Sequence, residues 1–344
     1  VNNTEFSENK TSATWGGAIY VQNATANIDH ANFTSNEAKI NGAAIGVGGV
    51  SSVTVTGGNF SSNHAGGKGG AICASVSSGT AQLKVIGAAF DKNYATNDGG
   101  AIYGGSNTEL VVDSCDFTDN YSTSATGGGI SAIGSVPTGE TYSTSLEVKG
   151  STNFTSNKAN GSGCYGGAIY VGNASAQITG ATFDGNQAVY GGAIGSKEKS
   201  KIIVNGGTDK KVVFKGNEVT GQGGVIRTCL ADAVTGTFDV QFTGCKFENN
   251  TASTRGGAIG SDQGTKLSVI NCEFKGNKTK AGTQYDGGGA ICVTGNANAE
   301  AEVAINSTTF DGNTAKGRGG AIMLLYADLT VGDSNFLSNV PIDG

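Results

Sequence analysis

The chain is poor in proline, in charge and in the residues that bind phosphate. Its 344 residues include two Pro, one Trp, one Met and two His, and charged residues make up 15% of the total, against about 25% in an ordinary globular domain. Arg occurs at three positions, and the net charge is −6. Nucleic acid, which requires clustered cations, is therefore not an expected partner. No apolar run approaches the ~18 residues that a transmembrane helix needs.

Glycine is abundant, with 58 residues, and much of it belongs to a repeat. Twelve times a Phe is followed three residues later by an Asn, and eleven of these pairs are followed by Gly-Gly-Ala-Ile or a close variant. The spacing between successive Phe residues, 26 to 37 positions, is typical of solenoid proteins. The twelve pairs are Phe6/Asn9, Phe33/Asn36, Phe60/Asn63, Phe90/Asn93, Phe117/Asn120, Phe154/Asn157, Phe183/Asn186, Phe214/Asn217, Phe247/Asn250, Phe274/Asn277, Phe310/Asn313 and Phe336/Asn339.

The pattern inside one repeat predicts strands. Apolar residues lie seven and five positions before the Phe, as Leu83 and Val85 do before Phe90, and this alternation is typical of a half-buried strand. No window has the apolar spacing of a helix. About 27 residues correspond to roughly three short strands and three turns, which is one coil of a parallel β-helix. We therefore predict an all-β, right-handed parallel β-helix of about 12 coils, forming a single repeat domain over residues 1–344.

The repeated residues have structural roles in this fold. Stacked coils place equivalent residues about 4.8 Å apart, so the Phe rings are expected to form an interior stack and the motif Ile residues a second apolar column. Asn tolerates a left-handed backbone, can bond the backbone of its own turn, and can share amide hydrogen bonds with its equivalents along a ladder. Gly-Gly permits a positive φ and a close approach between coils. We interpret these motifs as structural rather than as ligand contacts.

Alternating Phe-x-x-Asn and Gly-Gly-Ala-(Ile/Leu/Val) closely resembles the polymorphic outer membrane proteins of chlamydiae and related repeat proteins. The resemblance covers essentially the whole chain. It implies the β-helical passenger of an autotransporter, displayed on the cell surface and used for adhesion to host cells. It also implies a larger parent protein, with any membrane anchor outside this chain.

Catalytic and metal-binding patterns are weak. The residue after the motif Phe is acidic at Asp91 and Asp184 but basic at Lys215 and Lys275, so that column has the mixed charge of a solvated face. His30 and His64 do not occupy equivalent positions in their repeats, and neither is near a Cys or His at metal-ligand spacing. We therefore predict no enzyme activity, no metal site and no cofactor.

Two cysteines occupy equivalent positions in adjacent repeats. Cys245 and Cys272 each lie two residues before a motif Phe, where the spacing between coils permits a disulfide if the side chains reach the required dihedral angle. Buried thiols acting as small apolar residues are the alternative.

Insertions into the repeat are the predicted binding sites, because they project from a rigid scaffold and are free of its packing constraints. The insertions span residues 134–145, 228–236, 278–286 and 294–299. The binding residues predicted within them are Tyr142, Thr283, Gln284 and Tyr285.

The sequence thus predicts a non-enzymatic, extracellular adhesin that binds a host-cell or neighbouring-cell receptor or glycan. Two alternatives remain open at this point. One is a β-helix that binds or degrades polysaccharide. The other is a structural fibre or stalk segment that self-associates end to end through the unpaired strand edges of its terminal coils.

Overall fold

A computed structural model describes residues 1–12, 14–136, 141–209, 211–229, 238–283, 285–296 and 300–342. Within these ranges every regular element is a β-strand, and each strand pairs in parallel with its equivalents in the neighbouring coils. The strands form two sheets of 12 and two of 11. The predicted all-β parallel β-helix is confirmed, with eleven complete coils and a partial twelfth.

Each complete coil contributes one strand to each of four sheets, which we name by their content. The Phe sheet contains Glu5–Ser7, Asn32–Thr34, Asn59–Ser61, Ala89–Asp91, Asp116–Thr118, Thr152–Thr155, Ala181–Asp184, Val212–Lys215, Cys245–Glu248, Glu273–Lys275, Thr309–Asp311 and Asn335–Leu337. The short sheet contains Lys10–Thr11, Glu37–Ala38, His64–Ala65, Tyr94–Ala95, Tyr121–Ser122, Lys158–Ala159, Gln187–Ala188, Glu218–Val219, Thr251–Ala252, Lys278–Thr279, Thr314–Lys316 and Val340–Ile342.

The other two sheets follow in each coil. The Ile sheet contains Ile19–Gln22, Ile45–Gly48, Ile72–Ala74, Ile102–Gly104, Ile130–Ile133, Ile169–Gly172, Ile194–Ser196, Ile226–Thr228, Ile259–Ser261, Ile291–Thr294 and Ile322–Leu325. The long sheet contains Thr25–Asp29, Ser52–Thr56, Ala81–Ile86, Thr108–Asp113, Ser145–Lys149, Ser175–Ile178, Lys201–Asn205, Phe238–Thr243, Thr265–Ile270, Ala301–Asn306 and Ala327–Gly332.

The expected three strands per coil proved to be four. The additional strand is that of the short sheet, which is only two residues long in most coils, for example His64–Ala65. Two residues are too few to show an alternating apolar pattern, so this strand had no signal in the sequence.

The predicted Phe stack runs through the interior. Neighbouring motif rings lie 4.2 to 5.1 Å apart between centroids and are within 15° of parallel along the whole column. The rings from Phe33 to Phe310 are buried, whereas Phe336 in the last coil is 46% exposed. Offset stacking adds about 0.5–1.5 kcal/mol per pair to the free energy of burial, so the stack fixes the register of the coils as well as filling the core.

The predicted Asn ladder runs beside the Phe stack through all twelve coils. Asn63 shows the arrangement: its Nδ2 donates to Asn93 Oδ1 at 2.8 Å and to the Phe33 carbonyl at 2.9 Å. Its own Oδ1 accepts from the backbone N and the Nδ2 of Asn36, at 3.0 and 2.9 Å. Both amide protons and the carbonyl oxygen therefore have partners, which removes the penalty for burying the side chain.

The other motif Asn residues of the inner coils repeat this arrangement. Each is 0% exposed, and each donates from Nδ2 to the Oδ1 of the next motif Asn at 2.8 to 3.0 Å. The second Nδ2 proton is donated to the carbonyl of the motif Phe in the preceding coil. The residues are Asn36, Asn63, Asn93, Asn120, Asn157, Asn186, Asn217, Asn250, Asn277 and Asn313. These side chains are internal supports of the coils and are inaccessible to a ligand from solvent.

One of the reasons given for the Asn residues was wrong. The left-handed backbone of this turn lies on the residue before the motif Asn, as at Ser62 with φ +55° and Lys92 with φ +52°, and not on the Asn itself. The partners of the Asn amide also come mainly from the neighbouring coils rather than from its own turn. Asn is therefore required here because its amide both donates and accepts along the axis, and not because it tolerates a positive φ.

The Gly-Gly pairs are required by the corner that leads into the Ile sheet. Gly99 has φ +70°, and a Cβ on Gly100 would lie 2.0 Å from the carbonyl oxygen of Gly128 in the next coil. The first glycine permits the turn and the second permits the close approach.

Candidate binding face

The side chains of the interior columns are engaged with one another and are not available to a ligand. The motif Phe rings stack on those of the neighbouring coils, and the motif Asn side chains use their hydrogen-bonding groups within the ladder. The Ile residues pack within the same core. Contact with a ligand from solvent would therefore fall to side chains that point outward from the coils.

The most distinctive outward side chains lie where the short sheet turns into the Ile sheet. Two positions of each repeat meet there, namely the residue before Gly-Gly and the residue after the motif Ile, five positions later. The first column contains Trp15, Asn41, Lys68, Asp98, Thr126, Tyr165, Tyr190, Gln222, Arg255, Gly287 and Arg318. The second contains Tyr20, Gly46, Cys73, Tyr103, Ser131, Tyr170, Gly195, Arg227, Gly260, Cys292 and Met323. We call the two columns together the corner face.

Contacts across the corner confirm this pairing. The rings of Trp15 and Tyr20 lie 6.3 Å apart, and those of Tyr165 and Tyr170 meet edge to face at 6.5 Å. Tyr170 is only 4% exposed, yet it is not part of the contiguous interior cluster. The corner is therefore concave, and its side chains pack as a second layer outside the core.

The composition of the corner face is unlike that of the rest of the surface. It holds the only Trp of the chain, five of its ten Tyr and all three of its Arg. Tyr, Trp and Arg are the residue types enriched at the energetic centres of protein interfaces. The corner face is therefore the principal candidate for recognition.

A lysine organises the N-terminal part of the corner face. Lys68 Nζ lies 3.1 Å from Tyr103 Oη, 3.2 Å from Asp98 Oδ2 and 4.4 Å from the centre of the Tyr103 ring. Burial disfavours the ammonium ion, but the interactions with Tyr103 and Asp98 outweigh it and raise the pKa of Lys68. The charge is thus held in place by partners from the next coil.

A buried ion pair lies near the middle of the corner face. Arg227, which is 5% exposed, donates from Nη2 to Asp262 Oδ2 and from Nη1 to the Thr228 carbonyl, the latter at 2.7 Å. Asp262 Oδ1 accepts from Thr294 Oγ1 at 2.8 Å. Burial alone would raise the pKa of Asp262, but the charge and hydrogen bond of Arg227 lower it overall. Arg227 Nε is buried without a hydrogen-bond partner in the described residues.

The predicted binding loop at 278–286 adjoins the corner face. Asp286, only 8% exposed, accepts from Arg255 Nε at 3.0 Å, and its other oxygen accepts from the backbone N and the Oγ1 of Thr283, at 2.8 and 3.0 Å. Burial would raise the pKa of Asp286, but these hydrogen bonds lower it. Tyr285 is 53% exposed on the same loop.

The other predicted binding residues have different outcomes. Gln284 lies outside the described residues, as do parts of the remaining insertions, 137–140, 230–236 and 297–299. Tyr142 is half-buried in the segment that joins the Ile sheet to the long sheet, which is a different corner from that of Tyr285. The structure thus places Thr283 and Tyr285 together and Tyr142 elsewhere.

The corner face itself was missed by the sequence analysis. Its signal was present, because aromatic and Arg residues recur before Gly-Gly and after the motif Ile. That the two positions touch depends on the sense of the Gly-Gly turn, which periodicity does not reveal.

Cys245 and Cys272 lie inside the Phe-sheet side of the core, at 0% and 1% exposure. The backbone N of Cys245 donates to Cys272 Sγ at 3.4 Å, and the Cys272 thiol together with burial raises the pKa of Cys245. The structure holds both residues as thiols. The disulfide between them stays a prediction.

Two further properties of the described residues bear on other functions. No group of three or more His, Cys, Asp or Glu side chains within them is placed to hold a metal ion. Nor do they contain a helix long and apolar enough to span a membrane.

The sequence model of the Chlamydia polymorphic membrane protein repeat matches the chain at five places, residues 3–22, 57–75, 87–105, 244–262 and 307–324. Each match runs from a Phe-x-x-Asn pair through the following Gly-Gly-Ala-Ile. The resemblance predicted from the motifs is confirmed, and the chain carries copies of this repeat. No curated protein matches the chain. The repeat and the β-helix both fit a surface-exposed passenger domain.

Proposed function

We propose that this chain is a non-enzymatic adhesin, a β-helical passenger displayed at the cell surface that attaches to host or neighbouring cells. The corner face and the loop at 278–286 are its recognition surface.

The observation that carries the proposal is that interior positions repeat the same residues whereas surface positions of the corner face vary. Repeated Phe, Asn and Ile residues hold the coils in register, while the corner position changes from repeat to repeat among Trp, Lys, Asp, Tyr and Arg. A rigid scaffold that presents varied aromatic and Arg side chains in fixed positions is well suited to binding, because little conformational entropy is lost on association.

The loop at 278–286 supports the same assignment. Its Tyr285 extends the aromatic content of the corner face into solvent, and Asp286 ties the loop to Arg255. An exposed aromatic residue on an anchored loop provides contact area at low entropic cost.

The test is saturable binding of the labelled protein to epithelial cells. Two variants each remove one part of the recognition surface: one carries both Trp15→Ala and Tyr20→Ala, and one has the loop shortened to the length of the Ala252–Arg255 segment. The matched control carries Thr54→Ala and Lys84→Ala on the outer side of the long sheet. We expect binding by the wild type and the control, and about a tenfold or greater loss in the two test variants.

Circular dichroism and thermal melting establish that all variants are folded. Equal binding by every variant would place recognition outside the corner face, and absence of binding by the wild type would contradict an adhesin. Release of soluble product from a polysaccharide by the wild-type protein would contradict the non-enzymatic assignment.

A further inference from the structure

The C-terminal part of the corner face contains an arginine gap. Arg255, Gly287 and Arg318 occupy the same position in three successive coils, and parallel bridges join Arg255 to Gly287 and Gly287 to Arg318. Gly287 has no side chain, so the two arginines are separated by two coil spacings, about 9.6 Å. At Gly287 there is therefore a space with an arginine position on each side.

The two arginines differ in their bonding. Arg255 is neutralised by Asp286, with Nε 3.0 Å from Oδ1. Arg318 is exposed, and its guanidinium makes no hydrogen bond or ion pair with any described residue. No described residue therefore occupies the five N–H donors of the Arg318 guanidinium.

A backbone hydrogen bond joins Arg318 to the loop that carries Tyr285. The Arg318 backbone N donates to the Asp286 carbonyl at 3.1 Å, which ties residue 318 to the residue that follows Tyr285. The Ala281 backbone N donates to the Ser253 carbonyl at 2.6 Å, so the loop is also bonded to the preceding coil. The loop that carries the exposed Tyr285 ring is thus bonded to coils on both sides.

The surroundings are basic although the chain is acidic. Lys278, Lys280 and Lys316 are exposed on the adjoining short-sheet strands and loop. Lys280 pairs with Glu218, whereas no ion pair joins Lys278 or Lys316 to any described residue. In a protein of net charge −6, this is a local positive field that attracts anions.

We propose that Arg318 and Tyr285, with Lys316 beside them, form a binding site for an acidic glycan, meaning a polysaccharide that carries sulfate or carboxylate groups. A guanidinium binds such groups through two parallel hydrogen bonds. The Tyr285 ring offers an apolar surface with a polar tip to an adjacent sugar ring.

A nucleic acid fits the site less well. A protein that binds nucleic acid neutralises several phosphates with clustered Lys and Arg residues, and this site offers few cations and one exposed aromatic ring. The inference rests on the proposed adhesin function and names the class of its partner.

The experiment is titration calorimetry of the folded protein with three probes: heparin, which carries sulfate and carboxylate, hyaluronan, which carries carboxylate alone, and neutral dextran. We expect binding to at least one acidic probe and none to dextran. Arg318→Gln should weaken binding about tenfold, and Arg318→Lys, which keeps the charge but loses the paired hydrogen bonds, about threefold. Tyr285→Ala should weaken it about fivefold.

The matched control is Lys84→Gln, which makes the same charge change on the outer side of the long sheet, where Lys84 is exposed. Its affinity should stay within about twofold of the wild type. Equal losses for Arg318→Gln and Lys84→Gln would overturn the site in favour of diffuse charge attraction. A further titration uses polyglutamate as an acidic peptide. Binding of polyglutamate that is as tight as glycan binding and insensitive to Tyr285→Ala would overturn the site in favour of an acidic protein segment.

The inference and the proposed function fail separately. Saturable binding to cells without binding to either acidic glycan would overturn the inference and leave the adhesin intact. Absence of binding to cells and to both glycans would overturn both.

Discussion

The corner face and the outer side of the long sheet present their side chains in opposite ways. On the corner face, Tyr103 and Tyr170 point outward from the coil and yet are at most 7% exposed, because they pack against Lys68 and Tyr165 of the other column. On the long sheet the outward residues of one strand, Gln82 and Lys84, are exposed.

The ion pairs show the consequence. The Lys266–Glu302 pair of the long sheet has a separation of 3.6 Å and side chains that are 56% and 65% exposed. The corner pair of Arg227 and Asp262 is 6% and 22% exposed. An exposed pair contributes about 0–1 kcal/mol, whereas a buried charge depends on its partner. In a parallel β-helix, outward-pointing charged and aromatic side chains can therefore be held by partners where the cross-section is concave. On a flat side they remain exposed to solvent.

The sharpest test of this contrast removes one aspartate from each region. Asp262→Ala leaves the Arg227 guanidinium buried and unpaired, and should lower the free energy of unfolding by about 3–5 kcal/mol. Asp239→Ala removes the partner of Lys201 at 3.4 Å on the long sheet, where both side chains are more than a third exposed, and should cost less than about 1 kcal/mol. Urea unfolding followed by circular dichroism measures both. Similar losses would show that the corner pair is no better shielded than the flat face.

A second test varies the pH. The expected change in unfolding free energy is smaller than that caused by Asp262→Ala. Asp262 has a lowered pKa in the folded protein, so its ionisation stabilises the fold above the ordinary Asp pKa of about 3.9, and this contribution is lost as the pH falls through the folded value. The difference in unfolding free energy between the wild type and Asp262→Asn should be constant above about pH 5 and should shrink in more acidic solution. Urea unfolding at a series of pH values measures it. A difference independent of pH would contradict the role of the Asp262 charge.

The smallest expected difference concerns two lysines. Lys68→Met removes the contacts with Asp98 and the Tyr103 ring and should cost about 1 kcal/mol, because those partners hold the ammonium in a partly buried position. Lys266→Met on the long sheet should change stability by less than about 0.5 kcal/mol. Thermal melting of the two variants beside the wild type makes the comparison. If Lys266→Met proves the more harmful change, the ranking of the two regions is wrong.

Much of the fold could be predicted from the sequence repeat. The Phe stack, the Asn ladder and the Ile column were all predicted from equivalent positions, since a residue that recurs at one position in a solenoid must contact its own copies. The site was predicted only in part. Thr283 and Tyr285, in the insertion at 278–286, belong both to the sequence prediction and to the proposed recognition surface, whereas Arg318 and the Arg227–Asp262 pair were not predicted.

The repeat predicts contacts along the β-helix axis but not contacts around a coil, for two physical reasons. Contacts along the β-helix axis join identical positions of successive repeats, so the order of residues is enough to identify the Phe and Asn columns. Contacts around a coil depend on the angle at each turn. The meeting of Trp15 with Tyr20, or of Arg255 with the Asp286 loop, follows from the left-handed glycine of each Gly-Gly pair and from the two-residue strand before it. Those angles exist only in the folded coil, where neighbouring backbones restrict the turn to one conformation.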